Sequence, residues 1–449
     1  MSLMLYNTLG RKKQAFTPLD NDHIGIYACG PTVYDNIHVG NARPLVVFDV
    51  LVRLLRALYP QVTYVRNITD VDDKINQRAA ESGISIDDLC SQTIEKFHED
   101  AAALFVNAPD IEPRATHHID QMIAMIETLI AKGFAYEAEG HVLFAINQMP
   151  DYGQLSRRSL DMMRAGARVE IAPYKKDAGD FVLWKPSADD LPGWESPWGR
   201  GRPGWHIECS AMTAAYLGEV FDIHAGGLDL IFPHHENEIA QSCCAHDTSH
   251  MANYWVHNGY VTVDGEKMSK SLGNFTTVRD ALSKHRGEAV RYALLNAHYR
   301  APLDYSDGAV SEAKQALDRL YRAAGDAKPA EALPEAFLQA LCDDLNTPLA
   351  LSILHELARK ANKGDEMAAS ALKGCAQMLG LLNHAQDDWL QNKQTKDGLS
   401  QADIEAAIAA RQQARADRDF AKADAIRDDL AEKGVQLLDG PEGTSWQRQ

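Results

Sequence analysis

Hydrophobic residues alternate at the start of one stretch of the chain and then recur at helical spacing. Ile24 and Ile26 open a short apolar segment whose alternation predicts a buried strand. Gly30 and the proline after it break that strand, and a polar loop follows. The apolar run Leu45–Leu58 has the spacing of a helix with one buried face. The pattern predicts strand, loop and helix, with Cys29 at the strand end where parallel sheets bind ligands.

The four residues where this helix is expected to begin are His38-Val39-Gly40-Asn41. A helix N-terminus presents free N–H groups and the positive end of its dipole, which suit a phosphate. Gly40 lets a ligand approach the backbone closely, and His38 and Asn41, three positions apart, can face the same ligand. A motif this short is, by itself, more often a capping turn than a binding site.

A second unit of the same kind follows. Gln61–Asp70 alternates as a strand and leaves Thr69 near its carboxyl end, and a polar helix begins after Val71. Strand, helix and strand predict the first half of a doubly wound parallel sheet, an α/β fold of Rossmann type. After an irregular insertion, the second half is predicted to resume at Gly204–Met212, Val220–Ala225 and Trp255–His257.

Composition narrows the class of protein. The 449 residues are 45% hydrophobic and 24% charged, which is ordinary for a soluble chain of several domains. Because no apolar run approaches ~20 residues and no secretory signal opens the chain, we expect a cytoplasmic protein without membrane contact. Seven cysteines in this length form no disulfide framework. The net charge of −18 means that any RNA contact must use local basic patches.

A second short motif lies far along the chain. Glu266–Ser271 carries Lys267 and Lys270, with glycine on both sides, and this composition is typical of a cationic loop that closes over phosphates. A lysine pair alone would more often be a surface turn. Together and in this order, the two motifs resemble the two signatures of class I aminoacyl-tRNA synthetases. Asn41 departs from the usual histidine at that position, since an amide can donate a hydrogen bond but cannot carry charge.

The chain also offers a set of side chains suited to a metal. Two thiols, an imidazole and a carboxylate fit Zn²⁺ better than Mg²⁺, Ca²⁺ or copper. The four candidates are Cys29, Cys209, His234 and Glu238. His234 and Glu238 are four positions apart and project from one helix face. His224 and His235 are competing candidates, and reduced core cysteines are the alternative interpretation, because no Cys-x-x-Cys spacing is present.

Longer motifs make the resemblance more specific. The segments CGPTVYD, HVGNAR, RPGWHIECSAM, GGLDLIFPHHENE and EKMSKSLGN resemble the signature set of the cysteinyl-tRNA synthetases of bacterial type, and the likeness continues into the C-terminal FAKADAIRDDL and GPEGTSW. The resemblance implies an enzyme that joins L-cysteine to tRNA(Cys) through a cysteinyl-adenylate. It also implies one Zn²⁺ per chain, Mg²⁺ bound with ATP, and a monomer.

The same resemblance assigns residues to sites. Zinc is expected on Cys29, Cys209, His234 and Glu238. L-cysteine is expected near Gly30, Thr69, Trp205 and Asp229. ATP is expected at His38, Gly40, Asn41, Lys267 and Lys270. Catalysis, as stabilisation of phosphoryl charge, is assigned to His38, Asn41, Lys267 and Lys270.

A zinc ion would explain how such an enzyme rejects serine. A pocket gains only ~1–3 kcal/mol from so small a difference, whereas a thiol ionises readily on zinc and a hydroxyl does not. We therefore expect zinc to select the substrate and no editing domain to be needed. Four protein ligands normally describe a closed structural site. Glu238, the hardest ligand, is the one expected to be loosely held.

The predicted domains follow from these motifs. They are a catalytic nucleotide-binding fold in two halves (1–115 and 204–307, the second with the lysine loop), a connective insertion (116–203), a helical bundle (308–395) and an anticodon-binding domain (396–449). In the last of these, basic residues at helical spacing predict one RNA-facing stripe, with Trp446 as a stacking aromatic. The stripe consists of Arg411, Arg415, Arg418 and Lys422.

Two other functions remain open at this point. A cysteine ligase with a small amino-sugar acceptor, as in mycothiol biosynthesis, would share the zinc and phosphate motifs but resembles only the catalytic part, so the tail through Trp446 argues against it. A non-enzymatic RNA-binding or regulatory relative should have lost a lysine of the loop or a zinc ligand. None is missing from this sequence.

Overall fold

The computed structural model describes residues 2–158, 172–263, 265–268, 274–391, 401–440 and 443–448. These residues form two compact units. The first unit comprises Met1–Ala313, Pro334–Ile353 and Met378–Gly380, and the second comprises Lys314–Leu333, Leu354–Gln377 and Leu381–Gln449. Within the described ranges, no helix combines the length and the apolar character that crossing a bilayer requires.

The helices and strands of the described residues are numbered in chain order. The helices are α1 (Val39–Leu58), α2 (Asp73–Ser82), α3 (Ile86–Ala103), α4 (Ile119–Ala131), α5 (Trp205–Leu217), α6 (Glu236–His246), α7 (Val278–Lys284), α8 (Gly287–Leu295), α9 (Asp307–Ala324), α10 (Glu335–Cys342), α11 (Thr347–Ala361), α12 (Glu366–Met378), α13 (Gln386–Gln391), α14 (Gln401–Ala416) and α15 (Phe420–Glu432). The strands are β1 (Met4–Asn7), β2 (Lys12–Ala15), β3 (His23–Ala28), β4 (Gln61–Arg66), β5 (Ala135–Ala138), β6 (His141–Phe144), β7 (Phe181–Pro186), β8 (Gly201–Pro203), β9 (Phe221–Gly227), β10 (Ala252–Asn258), β11 (Val261–Val263), β12 (Glu266–Lys267), β13 (Leu303–Asp304), β14 (Val435–Gly440) and β15 (Gly443–Arg448).

The central sheet of the first unit is parallel throughout, which confirms the predicted fold class. Its strand order is β4-β3-β9-β10. The chain passes from β3 to β4 on one side and later returns to β9 on the other side of β3. Such a reversal opens a crevice at the carboxyl ends of the two central strands, where ligands bind in open α/β sheets. The fold therefore places a site between the ends of β3 and β9.

Helix α1 begins at Val39, within the four residues where the sequence predicted its start, and its first turn is capped. The backbone N–H of Asn41 donates to His38 Nδ1 at 3.3 Å, and the backbone N–H of His38 donates to Asn41 Oδ1 at 3.3 Å. This reciprocal capping box satisfies two N–H groups that a helix end would leave free. The predicted phosphate motif is thus also the cap of α1.

The loops after β3 and β4 approach each other closely. Strand β4 ends at Arg66, four residues short of the predicted strand, and Thr69 forms an isolated parallel bridge with Thr32. The Gly30 N–H donates to Asn67 Oδ1 at 2.8 Å. A Cβ at Gly30 would stand 1.6 Å from the carbonyl oxygen of Asn67, so only glycine allows this approach.

The segment predicted as a connective insertion contains a small β-sheet. Strands β5–β8 form an antiparallel sheet, and α4 precedes it. Buried side chains of α4, of this sheet and of helices α5 and α6 form one core. Asp73, in the first turn of α2, pairs with Lys185 at 2.6 Å and with Arg202 at 2.5 Å. These ion pairs tie the insertion sheet to the start of α2.

The first strand of the chain is joined to residues that come very late in the sequence. Strands β1 and β2 form an antiparallel hairpin, and Met4 bridges in parallel to Asp343. The buried carboxylate of Asp344 accepts hydrogen bonds from the Tyr6 N–H, the Tyr299 hydroxyl and the Arg300 guanidinium, each at 2.8 Å. A single carboxylate thus ties two distant segments of the first unit, at Tyr6 and at residues 299–300, to its own segment.

The second unit is helical and ends in a β-hairpin, β14–β15, that the sequence analysis missed. Trp446 lies in its small core, so the expectation of a stacking aromatic is wrong. This core is formed by Ile404, Ile408, Leu430, Val435 and Trp446. The single basic stripe is wrong as well. Helix α14 ends at Ala416, Arg418 takes a left-handed turn at φ 58°, and Asp419 then caps the separate helix α15.

Candidate functional site

The crevice at the carboxyl ends of β3 and β9 is lined by side chains from three elements. Cys29 follows β3 directly, and its N–H donates to Ala225 O of β9 at 3.2 Å. Cys209 lies in the second turn of α5. His234 lies two residues before the first residue of α6, and Glu238 lies in the first turn of that helix. Strand end and helix starts thus converge on one buried point.

All four candidate metal ligands meet at this point. One donor atom from each of the four lies within 4.8 Å of all the others. Cys29 Sγ is 4.0 Å from Cys209 Sγ and 3.8 Å from Glu238 Oε1, and His234 Nε2 is 2.9 Å from Glu238 Oε1. Cys29 is half-buried and the other three are buried. The structure therefore brings together the four residues named from the sequence.

Burial and mutual contacts shift the pKa values of all four candidate ligands. The hydrogen bond from Cys29 lowers the pKa of Cys209 to about 6, whereas burial raises the pKa of Cys29 well above its ordinary value. Burial disfavours charge on both members of the His234–Glu238 pair, but their attraction prevails. The pKa of His234 rises to about 10, and that of Glu238, which also faces His224, falls to about 2. One thiolate and one carboxylate are thus present at neutral pH.

These side chains suit a metal ion. Within the described part of the chain, His234 Nε2 is buried without a hydrogen-bond partner, although it lies close to Glu238. A buried nitrogen facing a carboxylate and two sulfurs is poorly satisfied by protein alone. Soft thiols combined with an imidazole and a carboxylate form the donor set of transition-metal sites. The cluster could therefore hold a metal ion.

Further histidines surround the cluster. His206 Nδ1 lies 2.8 Å from His234 Nδ1, and His235 Nδ1 lies 2.8 Å from His257 Nε2. Burial lowers the pKa of both His206 and His257 to about 3, so these rings are neutral. Sequence reasoning missed them. The position of His206, three residues before Cys209 on α5, was a spacing signal, whereas nothing in the sequence distinguished His257.

The four residues expected to bind the amino acid lie at the rim of this cluster or in the loops beside it. Trp205 is 39% exposed and stacks on His234, with ring centroids 4.0 Å apart. The buried Thr69 hydroxyl donates to Glu208 Oε2 at 2.9 Å. Gly30 directly follows Cys29. Asp229 is exposed, in a 3₁₀ turn after β9.

Backbone hydrogen bonds join the start of the first predicted phosphate motif to the residues that follow the second. The Val39 N–H donates to Thr276 O at 3.1 Å, and the Val278 N–H donates to Ile37 O at 2.9 Å. A Cβ at Gly40 would stand 3.7 Å from Met268 Cε. The segments on both sides of the second lysine therefore lie at the start of α1.

The two lysines themselves are described unequally. The backbone of Lys267 pairs with Thr262 across β11 and β12. The side chain of Lys267 and the whole of Lys270 lie outside the described residues. Their assignment to phosphate binding stays a prediction.

Comparisons with known proteins cover the whole chain. The model of the tRNA synthetases class I (C) catalytic domain matches residues 15–315, that of the DALR domain matches 336–386, and that of the cysteinyl-tRNA ligase anticodon binding domain matches 397–446. The cysteine–tRNA ligases of Paramagnetospirillum magneticum and Acidiphilium cryptum are 60% and 58% identical to this chain, over 100% of both proteins in each case.

A solved structure supports the same fold. Mycobacterium tuberculosis methionyl-tRNA synthetase in complex with methionyl-adenylate has a TM-score of 0.57 at 16% identity, covering 80% of this chain and 89% of that one. The parallel sheet, its crevice and the catalytic-domain match define a class I aminoacyl-tRNA synthetase. The full-length identities are more specific, and the chain belongs to the cysteine–tRNA ligase family.

Proposed function

We propose that this chain ligates L-cysteine to tRNA(Cys) in two steps, through a cysteinyl-adenylate. The observation that carries the proposal is 60% identity to a cysteine–tRNA ligase over the full length of both chains, together with the buried Cys29–Cys209–His234–Glu238 cluster. In the first step the cysteine carboxylate attacks the α-phosphate of ATP and pyrophosphate leaves. In the second step a ribose hydroxyl at the tRNA 3′ end takes the cysteinyl group and AMP leaves.

The buried cluster is proposed to hold one Zn²⁺. When bound, zinc would supply a site for the substrate thiolate, and serine, whose hydroxyl ionises far less readily, would bind poorly. The protein contributes a cluster positioned by two helix starts and a strand end. Because Glu238 is a hard ligand among soft ones, we expect its bond to be the weakest of the four.

The activation step needs no general base, because the attacking carboxylate is already ionised. Catalysis then depends on positioning and on stabilising charge at the transferring phosphoryl group. We assign this role to His38, Asn41, Lys267 and Lys270, with Mg²⁺ bound to the ATP. The capping box occupies Asn41 Oδ1 and leaves its amide N–H₂ available to donate. The close approach at Gly40 gives phosphate access to the N-terminus of α1.

The substrate's other groups are assigned to the rim. Asp229 would pair with the cysteine ammonium, and Trp205 would form one wall of the pocket. Thr69 and Gly30, at the ends of the two adjacent loops, would complete it. The exposed carboxylate of Asp229 and the exposed face of Trp205 support this assignment.

The remaining domains are proposed to bind tRNA(Cys). The domain division proposed from the sequence places the helical bundle at 308–395 and the anticodon-binding domain at 396–449, and the family matches at 336–386 and 397–446 lie within them. We further propose a monomer in the cytoplasm, with no editing domain. The anticodon-domain match and the full-length relatives disfavour the small-acceptor ligase and the non-enzymatic relative.

Transfer of labelled cysteine to total RNA, with ATP and Mg²⁺, tests the proposed function. We expect charging that ribonuclease abolishes and that excess serine does not inhibit. Cysteine-dependent pyrophosphate exchange without RNA charging would instead indicate a ligase with a small acceptor. Absence of both reactions would refute the enzyme assignment.

A further inference from the structure

The metal cluster overlaps a second set of four possible ligands. One donor atom each from Cys29, His224, His235 and Glu238 lies within 4.8 Å of the others, and Cys29 and Glu238 belong to both sets. We call Cys29, Cys209, His234 and Glu238 the outer set, because Trp205 stacks on its His234 at the exposed rim. The inner set contains His224 and His235, both 0% exposed.

The spacing within the inner set suits tetrahedral coordination. Cys29 Sγ lies 3.3 Å from His235 Nε2 and 3.8 Å from Glu238 Oε1, and His224 Nε2 lies 2.8 Å from Glu238 Oε2. Metal–ligand bonds of ~2.0–2.3 Å in a tetrahedron separate the ligand atoms by roughly 3.3–3.8 Å. Two of these three separations fall in that range, and the third lies about 0.5 Å below it.

Glu238 faces both sets at once. Its Oε1 lies 2.9 Å from His234 Nε2, while its Oε2 lies 2.8 Å from His224 Nε2. A metal ion could thus pass from one set to the other while it keeps both Glu238 and Cys29. Two ions at the same time would need Cys29 and Glu238 as bridging ligands, whereas a single ion needs them only once.

The hydrogen-bond partners of the ligating histidines and the number of thiols indicate how strongly each set should bind a metal ion. His235 Nδ1 lies 2.8 Å from His257 Nε2, and His257 Nδ1 lies 2.7 Å from the Thr8 hydroxyl, so this chain orients His235 Nε2 toward Cys29. Such partners behind a ligating histidine strengthen metal binding. His224, in contrast, has its Nδ1 buried without a partner among the described residues. With one thiol instead of two, the inner set should bind Zn²⁺ more weakly than the outer set.

We propose that Cys29, His224, His235 and Glu238 form a second metal position, which holds the ion when the outer set loses a ligand. An ion in the inner position is no longer bound to His234. It therefore lies away from the exposed rim, where Trp205 stacks on His234. It would keep the metal in the protein but away from the proposed cysteine pocket. This inference rests on the metal binding of the proposed function and not on its cysteine activation.

Cobalt substitution tests the second position by counting thiolate ligands. Co²⁺ bound to thiolates absorbs by charge transfer in proportion to their number, so the outer set gives two thiolates and the inner set gives one. In His234→Ala we expect about one Co²⁺ per chain, with charge-transfer absorbance about half that of the wild type. Undiminished absorbance, which means both thiolates remain bound, would overturn the proposal. So would loss of the metal from a variant whose thermal unfolding is unchanged.

A pair of double variants gives an independent test. Cys209→Ala/His234→Ala leaves the inner set whole and should retain about one Co²⁺ per chain. Cys209→Ala/His235→Ala damages both sets and should lose the ion. The matched control, Cys209→Ala/His117→Ala, removes an exposed histidine and should retain it. The opposite result would be loss of Co²⁺ from Cys209→Ala/His234→Ala and retention of Co²⁺ by Cys209→Ala/His235→Ala. That result would show that only the outer set binds the metal.

The wild-type titration separates the two proposals. If the wild-type chain binds no Co²⁺ or Zn²⁺, the proposed metal site is itself wrong. If the wild type binds one ion and the variants fail as described, the outer set stands and the second position is refuted. Should a double variant fail to fold, the cobalt spectrum of His234→Ala decides the question alone.

Discussion

The indole of Trp205 lies flat on the imidazole of His234, with ring centroids 4.0 Å apart and 12° between the planes. The sequence analysis assigned Trp205 to the amino-acid pocket and His234 to the metal. Their contact makes them a single surface. Because 39% of Trp205 is exposed, its other parts remain available to a substrate.

Removing this ring should weaken cysteine binding without releasing the metal. In Trp205→Ala the proposed pocket loses its aromatic wall. At about 0.5–1.5 kcal/mol for such a contact, we expect the KM for cysteine in pyrophosphate exchange to rise about 3- to 10-fold. Trp205→Phe keeps an aromatic face and should remain close to the wild type. An unchanged KM in the alanine variant would contradict the pocket assignment.

Thr69 connects the pocket to a buried carboxyl group. Burial raises the pKa of Glu208 well above its ordinary value, and the Thr69 hydroxyl donates to it. Thr69→Val should leave this group without that donor and reduce the free energy of unfolding by about 1–3 kcal/mol. Thr69→Ser keeps the hydroxyl and serves as the control. Denaturant unfolding measures both variants, and equal stability of the two would disprove the structural importance of the hydrogen bond.

Gly40 should tolerate no side chain. A Cβ there would stand 2.8 Å from the ring of His38, so Gly40→Ala must push that ring aside. We expect the rate of adenylate formation to fall at least about 10-fold, with unchanged metal content. Gly308 also lies in the first turn of a helix, but a Cβ there meets nothing nearer than 3.7 Å. Gly308→Ala is therefore the matched control, and equal rates in the two variants would argue against the role of His38.

Lys270 is predicted to act on ATP and not on cysteine. Loss of one group that stabilises charge in a transition state typically costs about 10²–10³ in rate. We expect Lys270→Ala to slow adenylate formation by this factor, measured in a single turnover, with little change in cysteine affinity. Lys284, which pairs with Asp307 at 2.8 Å, supplies the control variant Lys284→Ala. Normal adenylate formation without Lys270 would remove its assigned role.

Asp100 gives the first unit a pH dependence. Burial raises the pKa of Asp100 to about 6, although Arg279 opposes the shift. Between the unfolded value near 4 and the folded value near 6, the folded state holds a proton that the unfolded state has lost. Stability should therefore fall as pH rises through this window, and the cost should remain above it.

Asn in place of Asp100 should remove this dependence. Asp100→Asn is expected to raise the unfolding temperature at pH 7 and to lose that advantage near pH 4. Glu99, an exposed partner of the same Arg279, provides the control Glu99→Gln, with no such change between the two pH values. A lower unfolding temperature of Asp100→Asn at pH 7 would mean that the ion pair with Arg279 outweighs the burial.

The sequence predicted those parts of the fold that follow from local periodicity. Strand β3, helix α1 and the parallel sheet arise from alternating or helical runs of apolar residues. The Cys29–Cys209–His234–Glu238 cluster was predicted mainly because the motifs that contain these residues resemble those of the cysteinyl-tRNA synthetases, since donor type and spacing alone left His224 and His235 as competing candidates. That the four meet at one point depends on the sheet order, which places the end of β3 beside β9.

What could not be predicted depends on contacts between distant residues. From the sequence, Trp446 was predicted to stack on RNA. In the structure, the hairpin β14–β15 places it in one core with Ile404 and Leu430. The basic stripe was predicted on the assumption of one continuous helix. The left-handed backbone at Arg418 instead separates two helices, and helical spacing alone does not reveal this break. His257 gains its position behind His235 only through strand pairing, and no local pattern records that.

The pairing of the first strand with residues near 343 has a consequence for synthesis on the ribosome. The hydrogen bond from the Tyr6 N–H can form only after Asp344, 338 positions later in the chain, has been synthesised. At ~5–20 residues per second, this delay is roughly 20 s to 1 min. During that time Leu3 and Leu5, fully covered in the finished protein, lack their final environment. The amino-terminal hairpin therefore reaches its final contacts in the first unit only late in synthesis.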